Sequence, residues 1–579
     1  RLNRLSQETN DLLQVAAIIG REFTYDTLTL LGERDEEELL RRIEEALDAR
    51  VIEETEQAGR YRFLHAQMQE TLLEELSTTR RVRLHGQVAE ALERRYGDRA
   101  DERAARLALH FSEAATLAPR FTEKAAHYAA LAGCQALAQS AYPDAVRHFR
   151  TALSAREGQA IDDSMAELLF DYGVACRSTL QSNDAWRAFR QAFDHYARTG
   201  NVARAVDVAE LAGSTFDFVR ETQTRMVERA LELVEEGSTE HCRLSAALGF
   251  SVGMLGDDAR AQQAFDVARD TARRLGDPAL ELRCLMREIF VDSFHWRPRN
   301  TVGKAELVIV LAEALGETAN EFEAHNAIAH LVHDLGELDR ARRHADDARA
   351  LAERLRIWGM ITSAASNQAL AATSRGDWQA AREALSRALE LAPQNPRPLA
   401  YMSNVATIVG DLALATDYLQ RLIAVADATP PGPPRIFYAA WVAFALPLHT
   451  YLTAGAGDPA AAERWAQEVL SSTALRLLVG STSWGRGLQA VIDGDREVAR
   501  ESLAALEGFS GTIFAFLATD HVRGLLFFTL GQMDEAVDAV EAALRFLAPG
   551  YEPPYAWAAY DCARIRLERG APGDRERAR

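Results

Sequence analysis

Apolar residues recur at helical spacing along most of the chain, and from about residue 120 they do so in pairs of helices. The clearest sign is a glycine and an acidic residue between an apolar segment and an alanine-rich one. The glycine can adopt positive φ and end one helix. The acid can accept hydrogen bonds from the first free N–H groups of the next helix. These junctions are Gly256-Asp257, Gly376-Asp377, Gly410-Asp411, Gly457-Asp458 and Gly494-Asp495, with variants at Gly336-Glu337 and Gly531-Gln532.

The helix after each junction carries small residues at close-contact positions. In "DWQAAREALSRALELAP", Ala381, Ala384, Leu385 and Ala388 share one stripe, which lets two helices approach closely. From Gly336 onward the junctions are 34 to 47 residues apart. Helix pairs of this length predict a tetratricopeptide-type α-solenoid. We predict about twelve pairs, with second helices starting near residues 143, 183, 222, 258, 300, 338, 378, 412, 459, 495, 533 and 574.

The first 118 residues follow a different pattern. Helices are predicted near residues 7–18, 25–31 and 35–50, followed by short strands at 51–54 and 60–64 and by helices at 65–76, 79–96 and 100–115. Three helices and a hairpin are typical of a winged helix. The predicted fold is therefore mainly α. It has a winged-helix domain at 1–76, a helical connector at 77–118 and a tetratricopeptide-like superhelix at 119–579, with a candidate break at "TPPGPPR", residues 429–435.

Charge argues against several partners. The net charge is −20 and the pI is near 5.3, whereas general nucleic-acid binding and anionic membrane surfaces favour cationic proteins. The third helix, which would enter the major groove in a DNA-binding winged helix, has seven acids and three arginines over residues 35–50. A protein-facing winged helix is the favoured interpretation, and a DNA-binding regulator is the alternative.

Cysteine usage and hydropathy indicate a cytoplasmic protein. The five cysteines include no CxxC pair and lie in helix-like segments, as small buried residues of a reduced protein would. One stretch, residues 436–457, lacks Asp, Glu, Lys and Arg and could nominally span a bilayer. Pro447 and His449 interrupt it, so we predict a buried repeat helix and no membrane partner.

No catalytic signature is present in the sequence. We find no GxxxxGK[ST] loop and no kinase, cyclase, zincin or nucleophile-elbow motif, so we predict that this chain is not an enzyme and holds no cofactor. Four histidines, His325, His330, His333 and His344, cluster in one segment. A metal site is conceivable there, but polar contacts within a repeat are the favoured interpretation, and no metal ligand is predicted.

Aromatic residues concentrate on the first helices of the later pairs. First helices line the concave surface of stacked pairs, where aromatics can form a groove for a peptide or small molecule. For each residue taken singly core packing is the favoured interpretation, whereas for the surface as a whole binding is favoured. The groove candidates are Phe290, Phe294, Trp296, Arg297, Trp358, Tyr438, Trp441, Trp484, Phe514 and Trp557.

Several segments carry a family resemblance. "AAIIGREF", "YRFLHAQMQETLLEELSTTRRVRLHGQVAEALE", "HFSEAA", "EKAAHYAALAG", "AYPDAVRHFRTAL" and the terminal "RLERGAPGDRERAR" resemble bacterial signal-transduction ATPases with numerous domains. More narrowly, they resemble large regulators of the maltose-activator-like group. Those proteins join an AAA-type ATPase, a winged helix and a tetratricopeptide array, and some add an adenylate or guanylate cyclase or a LuxR-type DNA-binding domain. The resemblance is specific over residues 1 to about 155 and at the C-terminus.

The resemblance implies a role in signal transduction. An ATPase domain using ATP and ADP would lie N-terminal to Arg1, the array would bind a protein or small-molecule effector, and the winged helix would couple the two. The output would be transcription control or cyclic-nucleotide synthesis, and the intact parent could oligomerise. A start at Arg1 instead of Met, and an end where a helix would begin, are what a segment of a longer protein would show. A stand-alone adaptor that binds peptides is the alternative.

His65 is the residue for which the resemblance is most specific. In the family a motif histidine can touch the β-phosphate of ADP, and Leu64-His65-Ala66 lies at the matching place. The sequence departs from the Met-His-Asp form of the motif by lacking its acid. His65 is thus a candidate nucleotide sensor in the intact parent, or else a core or capping histidine at a strand-to-helix turn. A catalytic base is disfavoured because no nucleophile or paired acid accompanies it.

Overall fold

A computed structural model gives the architecture of the chain. It describes residues 2–31, 35–179, 181–212, 221–453, 455, 458–473, 475–548 and 550–578. The chain forms two compact units, Arg1–Val208 and Ala209–Arg579. The domain boundaries predicted at residues 76 and 118 both fall within the first unit and stay predictions.

The first unit begins with a region of helices and short strands. Its elements are α1 (Gln7–Ile19), β1 (Glu22–Thr24), α2 (Tyr25–Thr29), α3 (Glu36–Asp48), β2 (Ile52–Glu54), β3 (Arg60–Phe63), α4 (Ala66–Glu74), α5 (Thr78–Tyr96) and α6 (Ala104–Ala115). The predicted helices and both predicted strands are confirmed to within about four residues. β1 has no counterpart in the sequence prediction, because three residues between two helices are too few to show strand alternation.

The three strands form one antiparallel sheet in the order β1-β3-β2. Along β3, Tyr61 and Phe63 are buried while the two arginines are exposed, which is the alternation expected of a sheet with one covered face. Phe23 of β1 lies opposite Tyr61, and its ring centroid is 5.6 Å from that of Phe63. A small aromatic core therefore holds the hairpin against the helices of this region. Its assignment to the winged-helix class stays a prediction.

Helix pairs follow in the rest of the first unit. They are α7 (Thr122–Ala138), α8 (Tyr142–Ala155), α9 (Asp163–Ser178), α10 (Ser182–Thr199) and α11 (Val202–Ala212), the last of which crosses the unit boundary. Within two pairs a glycine of the first helix meets a phenylalanine of the second. A Cβ at Gly133 would lie 2.5 Å from the Phe149 ring, and one at Gly173 would lie 2.6 Å from Phe189. The missing side chain lets each pair pack closely.

The second unit continues the array. Its helices are α12 (Glu221–Leu231), α13 (Thr239–Met254), α14 (Asp258–Leu275), α15 (Pro278–Phe294), α16 (Pro298–Leu315), α17 (Thr318–Asp334), α18 (Leu338–Leu355), α19 (Trp358–Arg375), α20 (Trp378–Leu391), α21 (Pro396–Ile408), α22 (Leu412–Ala428), α23 (Pro433–Thr453), α24 (Pro459–Leu470), α25 (Arg476–Asp493), α26 (Arg496–Ala505), α27 (Thr519–Thr529), α28 (Met533–Leu547), α29 (Glu552–Arg569) and α30 (Asp574–Arg577). Every predicted second-helix start is confirmed to within about two residues.

The glycine–acid junctions have the predicted geometry. At one of them Gly376 has φ +79°, and the side chain of Asp377 accepts a hydrogen bond from the Ala380 N–H of the next helix. The same cap hydrogen bond is made by Asp257, Asp411, Asp458 and Asp495. Gly457 lies outside the described residues. At the two variant junctions the Glu337 and Gln532 side chains make no cap hydrogen bond, so the acid is helpful to the turn but not required.

A β-hairpin replaces the start of one first helix. Strands β4 (Ile513–Phe514) and β5 (Leu517–Ala518) pair antiparallel between α26 and α27. The sequence prediction placed Phe514 on a first helix and is wrong there. Residue Ala515 at the turn has φ +48°, a conformation that ends regular helix, so the segment folds back before α27 begins.

The second unit closes on itself. The Tyr551 hydroxyl, at the start of α29, donates to the carbonyl oxygen of His333 in α17 at 2.6 Å. The Phe546 ring packs on Gly336, where a Cβ would lie only 2.7 Å away. Trp296 stacks on Phe509 with ring centroids 5.2 Å apart. The last helix pairs of this unit thus pack on pairs more than two hundred residues earlier, so the described helix pairs of the second unit do not form an open solenoid.

The break predicted at residues 429–435 is shorter than expected, because α22 ends at Ala428 and α23 begins at Pro433. Arg435 spans the gap. Its Nη1 donates to the Ala426 carbonyl oxygen at 3.0 Å, and its guanidinium also pairs with Glu468 of α24. The C-terminal carbonyls of α22 therefore gain a donor from the next helix, and the array continues without interruption.

Helix α23 is the apolar stretch noted in the sequence. Within the described residues, α23 is the one helix that is long and apolar enough to cross a membrane by length and composition. However, 56% of its most apolar window is buried inside the protein. Pro447 has no N–H to donate to the Ala443 carbonyl oxygen one turn earlier. Gly485 of α25 lies directly against that oxygen, and a Cβ there would overlap it. The backbones of α23 and α25 therefore pack directly on each other, and the apolar composition of α23 is that of a core helix.

We call the contact between the early and late helix pairs of the second unit the closure, and we expect the Trp296 ring to stabilise it. Trp296→Ala removes a ring that is 7% exposed and should lower the free energy of unfolding by about 3–5 kcal/mol. Hydrogen exchange should also speed up over residues 509–518, because the ring contacts Phe509 and Phe514 in this segment. Trp358→Ala is the matched control, because that ring is 66% exposed and its loss should change stability by less than about 0.5 kcal/mol. Unchanged exchange over residues 509–518 in Trp296→Ala would contradict the closure.

The contact between α23 and α25 gives a second expectation. Gly485→Ala should lower the free energy of unfolding by about 1–3 kcal/mol, because the added methyl group would meet backbone that cannot move aside. Urea denaturation would show this as a lower midpoint. Gly303→Ala is the control. Gly303 lies inside α16 with open space around its Cα, and alanine there should stabilise the helix by about 0.5–1 kcal/mol. If both variants were equally stable, α23 and α25 would not approach as described.

Candidate functional site

His65 is exposed at the turn between β3 and α4. It occupies the N-cap position with extended backbone, φ −133°, and its side chain makes no cap hydrogen bond. The interpretation of His65 as a core residue is therefore wrong, whereas it does lie at the N-cap of the predicted strand-to-helix turn, without a side-chain cap hydrogen bond. The imidazole faces solvent at the end of the hairpin, and its role as a nucleotide sensor stays a prediction.

Three of the predicted groove residues are core residues instead. Trp484 is 0% exposed and stacks on Phe444 with centroids 5.0 Å apart. Trp296 and Phe514 are almost fully buried, and their ring centroids are 5.7 Å apart. These rings fill the close contacts between helices and the closure of the array, so no ligand surface is built from them.

Arg297 is held in a buried ionic cluster. Its Nη1 lies 2.7 Å from Asp292 Oδ1, and its Nη2 pairs with Asp258. Lys304, Arg269 and Glu288 also belong to the cluster: Lys304 Nζ lies 2.6 Å from Glu288 Oε1, and Arg269 pairs with the same carboxylate. Because Asp292 and Glu288 are fully buried, these cations are needed to balance buried negative charge. Arg297 is a structural residue and not a free anion-binding group.

The remaining predicted groove residues keep accessible surface. Phe290 and Trp358 are 38% and 66% exposed, and the half-buried ones are Phe294, Tyr438, Trp441 and Trp557. Phe290 and Phe294 pack together on α15, with centroids 5.0 Å apart. Trp441 of α23 meets Tyr401 of α21 edge-on at 5.6 Å. The structure therefore brings only some of the candidates together.

A polar group that the sequence prediction missed lies beside Trp441. It consists of side chains from the first helices of three consecutive pairs, and we call it the inner polar cluster. Its members are Asn326 and His330 of α17, Ser363 and Asn367 of α19, and Arg397 and Tyr401 of α21. Polar residues inside otherwise alanine-rich first helices, as in "NAIAH" and "SNQA", were the available signal.

Hydrogen bonds connect the inner polar cluster. Arg397 Nη2 donates to Asn367 Oδ1 and lies 3.3 Å from His330 Nδ1. Asn367 Nδ2 donates to Asn326 Oδ1 at 2.8 Å, and Asn326 Nδ2 donates to Ser363 Oγ at 3.0 Å. The Arg397 guanidinium carbon lies 5.4 Å from the centroid of the Tyr401 ring. The network fixes the guanidinium in one position.

Two titratable groups on α17 keep accessible surface on the side of the cluster. The His330 side chain remains 34% accessible, yet desolvation by the surrounding chain is the main cause that lowers its pKa to about 4. Glu323, two turns earlier on the same face of α17, is exposed, and desolvation raises its pKa. His330 is consequently neutral at neutral pH.

Arg397 carries the charge of this site. Among the described residues its contacts are His330, Asn367 and the Tyr401 ring, and none of these is an anion. Its Nε is buried without a hydrogen-bond partner in the same part of the chain. Two turns along α21, the Asn404 side chain is 4% exposed, and neither of its polar atoms has a partner there. Buried polar atoms ordinarily find partners, which makes these atoms candidates for contact with a ligand.

The histidine cluster of the sequence divides into separate contacts. His333 Nε2 lies 2.8 Å from Ser374 Oγ, and His333 Nδ1 lies 3.0 Å from Asp334 Oδ1. His330 belongs to the inner polar cluster. His325 and His344 face each other between α17 and α18. Polar contacts within and between repeats thus account for His330 and His333.

Comparison with known proteins gives a fold and no family. No family model matches the chain, and no curated protein matches it. The Cut9–Hcn1 hetero-tetramer of the APC/C is similar in structure with a TM-score of 0.52 and 13% identity, over 88% of this chain and 89% of that one. This similarity, with the helix pairs described above, places the chain among tetratricopeptide-like helical-repeat proteins.

Two weaker structural similarities were found. One is to a signal transduction ATPase with numerous domains, with a tetratricopeptide repeat sensor, from Pyrococcus horikoshii. It has 14% identity and a TM-score of 0.37 over 81% of this chain, which spans 63% of that protein. The other is to yeast Tom70, with 12% identity and a TM-score of 0.32 over 83% of this chain and 96% of that one.

The charges around His330 predict how its pKa responds to substitution. Arg397 lowers this pKa and Asp334 raises it, so Arg397→Gln should raise the midpoint of the His330 titration and Asp334→Asn should lower it. Histidine ¹³Cε1 resonances of the full chain, assigned with His330→Gln, would give the midpoints. Shifts in the same direction in both variants would contradict the described geometry.

The same pKa has a consequence for stability. The folded-state pKa of His330 lies below the ordinary value of 6.5, so the unfolded state binds more protons between the two values. The contribution of His330 to stability is therefore present above about pH 6.5 and is lost as the pH falls towards 4.

Proposed function

We propose that this chain is the sensor and scaffold region of a signal-transduction protein and that the inner polar cluster binds its effector. The observation that carries the proposal is Arg397. It is a guanidinium fixed by hydrogen bonds beside the partly accessible His330, without an anion among its contacts in the described part of the chain. A cation in such a place favours a ligand with a carboxylate or phosphate group.

The chemistry of the surroundings narrows the class of effector. Tyr401 and Trp441 offer aromatic faces next to the guanidinium, and Asn404 offers one amide donor and one amide acceptor. A ligand that combines an anionic group, an apolar or planar part and a hydrogen-bonding group suits this set. Both a small anionic metabolite and the acidic end of a peptide have these features.

We further propose that the effector acts on an ATPase domain N-terminal to Arg1. The support is the resemblance of residues 1 to about 155 to signal-transduction ATPases, together with the exposure of His65 at the end of the hairpin. An exposed imidazole at that place could reach ADP in a neighbouring domain. By linkage, an effector drives such a switch only if it binds one state of the parent more tightly than the other. The output would be transcription control or cyclic-nucleotide synthesis.

The winged-helix assignment enters as part of this proposal, in a protein-facing form. Helix α3, which would read DNA in a DNA-binding winged helix, carries three acids in its first turn; Glu36 and Glu37 are exposed and Glu38 is half-buried. Like charges on helix and phosphate repel. DNA affinity that falls steeply with salt would be required to support the alternative of a DNA-binding regulator.

The binding proposal predicts an effect of Arg397→Gln. Anionic metabolites and peptides ending in acidic residues would be screened against the full chain by thermal shift, and the Kd of each hit would be measured by calorimetry. We expect Arg397→Gln to weaken binding by about 1.5–3 kcal/mol, or roughly tenfold to a hundredfold, because a charge-assisted hydrogen bond is lost.

Arg421→Gln is the matched control for this experiment. Arg421 belongs to the second helix of the same pair, lies over the Tyr418 ring at 4.8 Å and is paired with Asp417, so it shares the chemistry but not the location. If Arg397→Gln and Arg421→Gln weakened the binding of a hit equally, the assignment of the site would be overturned. The coupling to an ATPase is tested apart from this, by sequencing the gene upstream of Arg1 for a GxxxxGK[ST] loop. A start codon close to Arg1 would leave a stand-alone adaptor.

A further inference from the structure

A second constellation lies between the two helices of one repeat, away from the inner polar cluster. His325 of α17 and His344 of α18 face each other with their Nδ1 atoms 3.0 Å apart. The Asp347 Oδ2 atom lies 3.5 Å from His325 Nδ1. Among the described residues this is a group of three side chains whose ligand atoms all lie within 4.8 Å of one another.

These distances are those of ligands around one metal ion. Zinc binds imidazole nitrogen at 2.0–2.1 Å and carboxylate oxygen at about the same distance, and tetrahedral geometry then separates neighbouring ligand atoms by about 3.4 Å. The separations of 3.0 and 3.5 Å bracket that value. Two imidazoles and one carboxylate also form a donor set that suits zinc and similar divalent transition metals.

The contact between the two imidazoles favours a cation. Two Nδ1 atoms 3.0 Å apart cannot both present a lone pair to each other unless a proton or a cation lies between them. A metal ion takes that place and uses both lone pairs.

The local charge is consistent with this assignment. The Asp347 carboxylate presents negative charge to the pair, with its Oδ2 atom 3.5 Å from His325 Nδ1, whereas Arg340 and Arg343 of α18 add positive charge. Arg340 is itself neutralised by ion pairs with Glu306 and Glu337. A dication would be held by one carboxylate and two imidazoles, with its remaining position open to water or to a further ligand.

We propose that His325, His344 and Asp347 form a binding site for a divalent transition-metal ion of the zinc type, which bridges α17 and α18. His325 is almost buried, with 11% of its side chain exposed, while Asp347 is 59% exposed. The ion would enter from the Asp347 side. This site is independent of the function proposed for the inner polar cluster.

Isothermal titration of the metal-stripped, reduced full chain with zinc chloride tests the proposal. We expect one saturable site per chain in the wild type. Asp347→Asn should weaken zinc binding at least about tenfold, as loss of a metal-site interaction commonly does, and it should not disturb folding because the side chain is exposed. His344→Asn should weaken it to a similar or greater extent.

Asp346→Asn is the matched control, because it removes the same charge from the adjacent residue. The Asp346 carboxylate accepts a hydrogen bond from Gln368 and does not belong to the metal-ligand group. Zinc affinity in this variant should stay within about twofold of the wild type, since its metal ligands are intact. Equal weakening by Asp346→Asn and Asp347→Asn would show general attraction to an acidic surface and would overturn the proposal.

Cobalt(II) as a spectroscopic probe separates this site from the cysteines. Binding at His325, His344 and Asp347 predicts visible d–d bands without thiolate-to-metal charge transfer. Cys242 and Cys284, with their sulfur atoms 3.6 Å apart, would give the charge-transfer bands instead. Those bands, or the absence of any saturable binding, would overturn the assignment, whereas a rise in Tm with zinc that Asp347→Asn abolishes would support it.

Discussion

The close approach of the two helices in each pair is the constraint on which the rest of the structure depends. In several pairs a glycine of the first helix faces a large side chain of the second, sixteen residues later: Gly133 and Phe149, Gly173 and Phe189, Gly249 and Phe265, and Gly524 and Val540. In each case a Cβ on the glycine would overlap its partner. The ring or branched side chain fills the space that the glycine leaves, which keeps the interface dense and dry.

In the second unit the last helix pairs return to α17. His333 of that helix lies beside Tyr551, which belongs to the last pairs. His330, on the same helix, keeps 34% of its side chain accessible although desolvation lowers its pKa. His325, on another side of α17, faces His344 within its own pair. A displacement of α17 would change the contacts of His333, His330 and His325 together, because packed interfaces of this kind transmit strain.

The sequence by itself determined the local elements. Helix starts, caps and pairing were readable because each depends on neighbours within about forty residues, the length of one repeat. Asp377 caps the helix that begins next to it, and Ala381 and Leu385 lie on the buried stripe of that helix. The exposure of His65 and the burial of Trp484 were not readable in this way. Aromatic residues look the same in sequence whether they line a groove or fill a core.

The tertiary structure alone decided closure and the candidate sites. Arg397, Asn367 and His330 come from three helices, and their meeting depends on the rise and rotation from one pair to the next. Tyr551 and His333, which meet at the closure, are 218 residues apart. Local periodicity specifies each helix pair, but small rotations add up along the array, and only their sum determines which distant side chains come into contact.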